Sequence, residues 1–489
     1  MEKSMAVYEE LFKKIKLEKA VKGIGNGNPV MTQRFGADPY ALVYGDRVYV
    51  YMTGDAPTYD ETGKVEQNKY SLINTINVVS SADLVNWTDH GTVYAASERG
   101  AAKWGANSWA PAAAYKKING KDKFFLYFAN SGNGIAVLSA DSPVGPFTDP
   151  IGKPLISRNT PTCAEVTWLF DPAVLQDTDG NAYIYVGGGI PSDEFASNPG
   201  TARVCKLGAD MISLDGDPIP IDNVPFLFED SGINKINGVY YYSYCSNFKM
   251  TPPDVERMGF GNGQIIVMKS DNPMGHFKLV GPVLKNPEDY FGRGGNNHHC
   301  MFEFKGEYYI VYHSRILEEA MGIDGGYRST NIDRLMFDVN GVPTMSEGTK
   351  AGVDAVGRVN PYTDVSGVTL GNSAGITTRQ YGEIAEKYGS GQMILSGIHD
   401  GCFTEVRNVA FGDKSPKSVS LLVAGSGKGT VKVSLDAPEN PAIAYVPVDT
   451  DGSGLVKASG ELILPVTGDH DLFFVFEGSG YELFSWKFE

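Results

Sequence analysis

One hairpin pattern recurs five times at near-regular spacing, and it restricts the fold more than any other property of the chain. A turn glycine is followed by a strand dense in Tyr, Phe and Val: GDRVYVYM from Gly45, GKDKFFLYF from Gly120, GNAYIYV from Gly180, GVYYYSY from Gly238 and GEYYIVYH from Gly306. The intervals are 75, 60, 58 and 68 residues. In a chain of short strands broken by Gly, Pro, Asn and Asp turns, periods of this size are those of propeller blades. Five copies predict a five-bladed β-propeller. A β-sandwich with ordinary hairpins is the alternative, but it does not require one hairpin type at regular intervals.

In a propeller the innermost strand of each blade faces the central axis, so a residue shortly before each turn glycine should point at one shared site. Those places hold Asp38 (GADPYAL), Trp109 (SWAPA), Asp171 (LFDPAVL), Glu229 (FLFEDSG) and His298 (GGNNHHCMF). Blades built for stability alone would carry apolar residues there. Hydrolysis of an acetal needs two carboxyl groups in different protonation states, one to protonate the leaving oxygen and one to activate water. A third carboxylate nearby keeps the acid's pKa raised by like-charge repulsion.

Each residue alone has a plainer reading. Asp38 and Asp171 precede Pro, and Asp-Pro commonly ends or bends a strand. Glu229 with Asp230 reads as a surface pair, Trp109 as core, and His298 and His299 as satisfied core histidines. Placement in one register is what favours a site. The DTDG stretch ending at Gly180 resembles the start of a calcium loop but lacks the downstream Glu ligand, and reads better as a hairpin turn.

After about residue 350 the pattern changes. The stretch Val356–Gly391 is rich in Gly, Thr and Ser, and a series of short alternating strands follows, from FTEVRNVAF to YELFSWKF. This reads as a β-sandwich. The expected layout is an N-terminal segment over 1–27 with a helix around Tyr8–Ala20, a propeller over 28–352 and a sandwich over 365–489. The linker falls between Lys350 and Thr369.

A formal charge of −16 argues against nucleic acid and anionic membrane as partners. The five cysteines are scattered, with no CxxC pair, and are expected to be packing residues. The N-terminal stretch has no apolar signal-peptide core, which predicts a cytoplasmic protein.

The stretches FGADPYALVYGDRVYVYMT, SWAPA, TWLFDPAVLQDTDGNAYIYVGGG, FEDSGINKINGVYYYSYC and GGNNHHCMFEFKGEYYIVYHSR resemble glycoside hydrolase family 43, and within it the arabinoxylan arabinofuranohydrolases and β-xylosidases. The resemblance spans about residues 28–345. It implies Asp38 as general base, Glu229 as general acid and Asp171 as the carboxylate that orients the acid and tunes its pKa. It also implies that Arg328 contacts the sugar at the cleaved position and that Trp109 and Phe35 wall the pocket. His298 is implied as the central histidine beside the carboxylates, which in many relatives holds a calcium ion. The C-terminal part resembles a family 6 carbohydrate-binding module. It lacks the tryptophan often seen around VPVDTDGSGLVKASGEL, so packing against the propeller, with a share in one wall of the pocket, is as much expected as sugar binding.

The function these readings support is an inverting, exo-acting α-L-arabinofuranosidase that removes arabinose from arabinoxylan-derived oligosaccharides. The alternatives are a β-xylosidase or an enzyme with both activities and, outside enzymes, a sugar-binding propeller lectin. The carboxylate trio separates the hydrolases from the lectin, which needs aromatic and amide groups instead.

Overall fold

The computed structural model describes residues 2–382 and 392–489. Five antiparallel sheets follow one another along the chain. The first holds β1 (Ala37–Tyr44), β2 (Arg47–Thr53), β3 (Thr75–Ser81) and β4 (Trp87–Tyr94). The second holds β5 (Trp109–Ile118), β6 (Lys121–Ala129), β7 (Gly134–Ala140) and β8 (Ile156–Ser157). The third holds β9 (Ala173–Gln176), β10 (Ala182–Val186), β11 (Arg203–Leu207) and β12 (Ile219–Pro220). The fourth holds β13 (Leu227–Ile236), β14 (Val239–Ser246), β15 (Ile265–Ser270) and β16 (Lys278–Leu284). The fifth holds β17 (His299–Phe304), β18 (Glu307–Ser314) and β19 (Ser329–Arg334). This is the expected five-bladed propeller.

Each repeated glycine lies in the turn between the first two strands of a blade, and all five have positive φ, a conformation that costs glycine little. Asn119-Gly120, Asn237-Gly238 and Lys305-Gly306 have two consecutive positive-φ residues, which matches the right-handed twist of the strands they join. The Asp177–Asn181 stretch is the longer turn of the third blade, closed by Asp177 N–H to the Asn181 carbonyl at 2.8 Å.

The ring closes through the segment before β1. The Val30 amide donates to the Thr330 carbonyl at 2.9 Å, the Gly36 amide donates to the Arg328 carbonyl at 3.0 Å, and Asn28 brackets Ile332 through both of its side-chain polar atoms. The start of the propeller thus lies beside β19 and covers the edge of the last blade.

A small hairpin of β20 (Met336–Phe337) and β21 (Pro343–Thr344) precedes the second domain. That domain contains β22 (Val365–Ser366), β23 (Thr369–Leu370), β24 (Asn372–Ala374), β25 (Thr377–Gln380), β26 (Met393–Ser396), β27 (Phe403–Gly412), β28 (Ser418–Leu435), β29 (Ala442–Asp451), β30 (Val456–Glu461) and β31 (Gly468–Phe488). The long strand β28 pairs with β30 along its first part and with β29 along its second, with β31 alongside. Its register against β31 shifts between Gly425 and Lys428, beside the positive-φ Gly425. The core is apolar, from Val419, Leu421, Val431, Val433, Phe474 and Phe476 to Trp486.

The two domains share strand pairing, because β23 joins β4 as a fifth strand of the first blade. Buried Asp89 on β4 binds Arg34 at 2.5 Å, Gln33 at 3.1 Å and Thr378 of the sandwich at 2.7 Å.

The N-terminal helix α1 spans Glu2–Lys14, six residues earlier than the expected stretch and of the same length. From Ile15 the chain leaves the helix and lies along the sandwich. The Glu18 amide donates to the Gly401 carbonyl at 2.9 Å, and Phe12, Leu17 and Ala20 pack on Phe403, Phe473, Val475 and Ala374. Tertiary packing overrides local helix propensity here. All five cysteines are buried and unpaired. Among the described residues no helix is long and apolar enough to cross a membrane.

Candidate active site

The innermost strands of four blades share one irregularity. Ala37 pairs with Thr53 and Tyr40 with Tyr51, so Asp38 and Pro39 together face the single residue Met52. The same two-against-one bulge places Ala110 and Pro111 opposite Phe128, and Asp230 and Ser231 opposite Tyr244. In the third blade the Gly187 amide donates to the Phe170 carbonyl while Ala173 pairs with Tyr185, which puts Asp171 and Pro172 in the same relation to Val186. The first residue of each bulge has positive φ: 47° at Asp38, 42° at Ala110, 49° at Asp171 and 70° at Asp230. Such backbone is strained for any residue with a Cβ, and bulges next to active sites re-aim side chains.

The bulges correct the register read from sequence. Asp38, Asp171 and Asp230 are structural equivalents, with Ala110 in the second blade. Trp109 and Glu229 sit one residue earlier, at the position of Ala37 and Phe170. Counting back from the turn glycine misses this offset because the strands and turns differ in length between blades.

The bulges nonetheless deliver the expected side chains to one place. A cavity of about 670 Å³ opens at the end of the axis where the innermost strands begin, and Asp38, Asp171, Glu229, His298, Trp109 and Arg328 all line it. Phe35 does not. It is buried against Tyr327 and Leu317, with its ring centroid 5.6 Å from that of Tyr327, so its place is in the packing behind the wall. Among the described residues the sandwich contributes none to the lining.

Asp38 is nearly inaccessible to solvent and surrounded by cationic and imidazole groups. Arg328 Nη1 donates to Asp38 Oδ1 at 2.8 Å, and His313 Nδ1 lies 3.1 Å from the same oxygen. Burial alone would raise this carboxyl. Arg328 leads the groups that outweigh burial and hold it well below the usual carboxylate range, while the Asp38 amide donates to His313 Nδ1 at 3.1 Å. Arg328 is itself fixed by Asp55, which accepts from Nε at 3.0 Å, from Nη2 at 2.9 Å and from the Arg328 amide at 3.0 Å.

Glu229 is in the opposite situation. It is buried, and its Oε1 has no hydrogen-bond partner among the described residues. Burial first, then the charges of Asp171, Asp38 and Asp230, push its carboxyl well above the ordinary value. Asp171 accepts from the Asp230 amide at 2.9 Å and is also raised, by burial and by Asp38. The cluster thus separates its protons, with Asp38 driven toward the ionised form and the Glu229–Asp171 pair toward the protonated one. Carboxyl groups whose environments drive their pKa values apart take the base and acid roles of an active site.

His298 stands between them. Its Nδ1 lies 3.8 Å from both Asp38 Oδ1 and Asp171 Oδ2, and its Nε2 lies 3.1 Å from Asp230 Oδ1. Burial lowers its pKa, which favours the neutral ring. Asp230 is fully buried rather than a surface pair with Glu229, and its other oxygen is 2.5 Å from His299 Nδ1.

A calcium ion at His298 would need six to eight oxygen ligands. Among the described residues no group of three or more His, Cys, Asp or Glu side chains is arranged to hold a metal ion. The neighbouring carboxylates are already engaged, Asp38 by Arg328 and Asp230 by His299. This donor set does not fit a protein-built calcium cage, and no chemical step is assigned to a metal.

Four residues escape the sequence reading: Asp55, Tyr70, Asp230 and His313. Asp55 and Tyr70 lie at or within the connection over residues 54–74, outside the repeated strands. Asp230 enters the sequence reading only as half of a surface pair with Glu229. His313 lies near the end of β18, the second strand of the fifth hairpin, where the repeat gives no reason to expect a site residue.

A family model described as "Glycosyl hydrolases family 43" matches residues 26–343, and one described as "Carbohydrate binding module (family 6)" matches residues 368–489. The chain belongs to glycosyl hydrolase family 43. It is 46% identical over 481 residues to an arabinoxylan arabinofuranohydrolase of Paenibacillus polymyxa, covering 95% of this chain and 74% of the relative. It is 44% identical to the arabinoxylan arabinofuranohydrolase of Bacillus subtilis, covering 94% and 91%. The crystal structure of a family 43 arabinoxylan arabinofuranohydrolase from Bacillus subtilis, solved with cellotetraose, superposes with a TM-score of 0.90 at 42% identity, over 96% of this chain and 99% of that one. An α-L-arabinofuranosidase structure from Clostridium thermocellum aligns over 67% of this chain and 98% of its own, with a TM-score of 0.51 and 36% identity. This family 43 protein is a glycoside hydrolase with an appended family 6 module.

Proposed function

We propose that the protein is an inverting, exo-acting α-L-arabinofuranosidase that releases arabinose side chains from arabinoxylan-derived oligosaccharides. One observation carries the reading. Within a single cavity, Asp38 is held toward its ionised form by Arg328, while Glu229 is pushed toward its protonated form by burial and by Asp171. Asp38 then takes a proton from the water that attacks the anomeric carbon. Glu229 gives its proton to the departing glycosidic oxygen, and Asp171 keeps that proton on Glu229 until it is needed. Direct displacement by water inverts the anomeric configuration.

The substrate class is supported by the names of the two relatives above and by the aromatic lining. Trp168 meets Phe170 at 5.4 Å and Phe228 at 5.0 Å between ring centroids, and Phe228 meets Phe248 at 5.4 Å. The run leads from the cavity to the exposed Phe248 and offers apolar ring faces to a sugar chain.

NMR on a defined arabinoxylo-oligosaccharide tests the proposal. The first product signal should be β-L-arabinofuranose from an α-linked branch. Release of xylose alone, or of α-L-arabinofuranose first, overturns it.

A further inference from the structure

The cavity wall contains a hydroxyl donor that the acid–base pair does not use. Tyr70 lies on the connection over residues 54–74 between β2 and β3 and lines the cavity with 44% of its surface exposed. Its main chain is held firmly. The Tyr70 carbonyl accepts from Trp109 Nε1 at 2.9 Å and from Asn107 Nδ2 at 3.3 Å. The connection is also tied to the loop preceding Arg328, through the Asn68 amide to the Gly325 carbonyl at 2.6 Å and the Tyr327 hydroxyl to the Glu66 carbonyl at 3.0 Å.

The ring is held as well. The Arg328 guanidinium carbon sits 5.0 Å from its centroid, and the Trp109 ring packs edge-on at 6.4 Å. The guanidinium that fixes Asp38 therefore also braces Tyr70. Among the described residues the Tyr70 hydroxyl has no hydrogen-bond partner, although the backbone and ring that carry it are both constrained.

A wall needed only for apolar contact would be served by Phe. A fixed phenol with an unused O–H beside the base and the acid is suited to a substrate hydroxyl. The Arg328 charge pulls the phenol's pKa down, but burial and the carboxylates of Asp55, Asp38 and Glu229 outweigh it, so the group stays a donor at working pH. A site that hydrogen-bonds a substrate hydroxyl discriminates strongly against sugars that lack it.

We infer that Tyr70 is a specificity-determining residue whose phenol hydroxyl bonds one hydroxyl of the sugar held at the cleaved position. This rests on the arabinofuranosidase reading above for the identity of that sugar. Trp109 supplies the neighbouring face, and Arg328 fixes both the phenol and the base.

The test compares wild type with Tyr70→Phe, which keeps the ring and its contacts with Arg328 and Trp109. Both are assayed on an aryl α-L-arabinofuranoside and on its 2-, 3- and 5-deoxy analogues. The expected result is a loss of about tenfold in kcat/KM on the parent, the size of one hydrogen bond, which disappears on one of the three analogues. The melting temperature should match wild type. An equal loss on all four substrates, or no loss on the parent, overturns the assignment.

A wild type that does not cleave the parent defeats the arabinofuranosidase reading instead. The same comparison on an aryl β-D-xylopyranoside and its deoxy analogues then decides the role of Tyr70 by the same criteria.

Discussion

The propeller axis and the sandwich core are both enclosed by β-strands, yet one is filled with charge and the other is lined by apolar side chains. Asp38, Asp171, Glu229, Asp230, His298, His299, His313 and Arg328 are all buried at or beside the axis. The sandwich interior holds Val, Leu, Ile and Phe side chains closed around Trp486. Two facing sheets interdigitate and leave no room for a polar group without a partner. Blades that meet at an axis do not close against each other in that way, and the bulges turn side chains into the gap. The strand ends that a propeller cannot pack are where it can hold chemistry.

The sharpest way to break this contrast is to remove the charges. Asp38→Ala or Glu229→Ala should lower kcat by roughly 10³–10⁴-fold, the worth of a positioned base or acid. Each variant should keep the wild-type near-ultraviolet circular dichroism. Turnover within tenfold of wild type in either variant would remove that residue from the mechanism. The sandwich should respond in reverse. Trp486→Ala should cost about 3–5 kcal/mol of stability in denaturant melts, with kcat per folded molecule unchanged.

Much of this contrast is legible in the sequence. The repeated hairpin gives the blade count, and two Asp-Pro pairs mark bulged strand starts. The one-residue offset between Asp171 and Glu229 is not legible, because it depends on which residue opposes which across a strand pair. Phe35 is misread because it adjoins Gly36 and Asp38 in sequence while its side chain faces Tyr327 behind the wall. Tyr70 reaches the cavity, and Asp55 reaches Arg328 behind it, from residues 54–74, a stretch with no repeat to place it. The module packs against the propeller as expected, through β23 beside β4, but the share in the pocket wall is not seen among the described residues. Its tryptophan is internal, its Tyr445 packs on Tyr8 and Phe12 of α1, and among the described residues the pocket is lined by the propeller.

Two smaller effects sharpen the account of the axis through the pH profile of kcat/KM. Arg328 holds the Asp38 carboxyl down against burial, and activity needs Asp38 ionised. Arg328→Met should therefore raise the Asp38 pKa and move the acidic limb to higher pH. Asp171 is the leading charge that holds Glu229 up, and activity needs Glu229 protonated. Asp171→Asn should lower the Glu229 pKa and move the alkaline limb to lower pH. A shift of either limb in the other direction would contradict the division of protons between the two carboxyls.

The position of α1 has a consequence for how the protein is made. The partners of Phe12 and Leu17 are Phe403 and Phe473, which leave the ribosome hundreds of residues later. The edge of β19 is likewise covered by the segment around Val30. The amino-terminal apolar side chains therefore wait undocked through most of translation. The ring is sealed only after its last blade emerges, and the opening helix docks only when the chain is nearly complete, so nascent chains should recruit chaperones at their amino-terminal end.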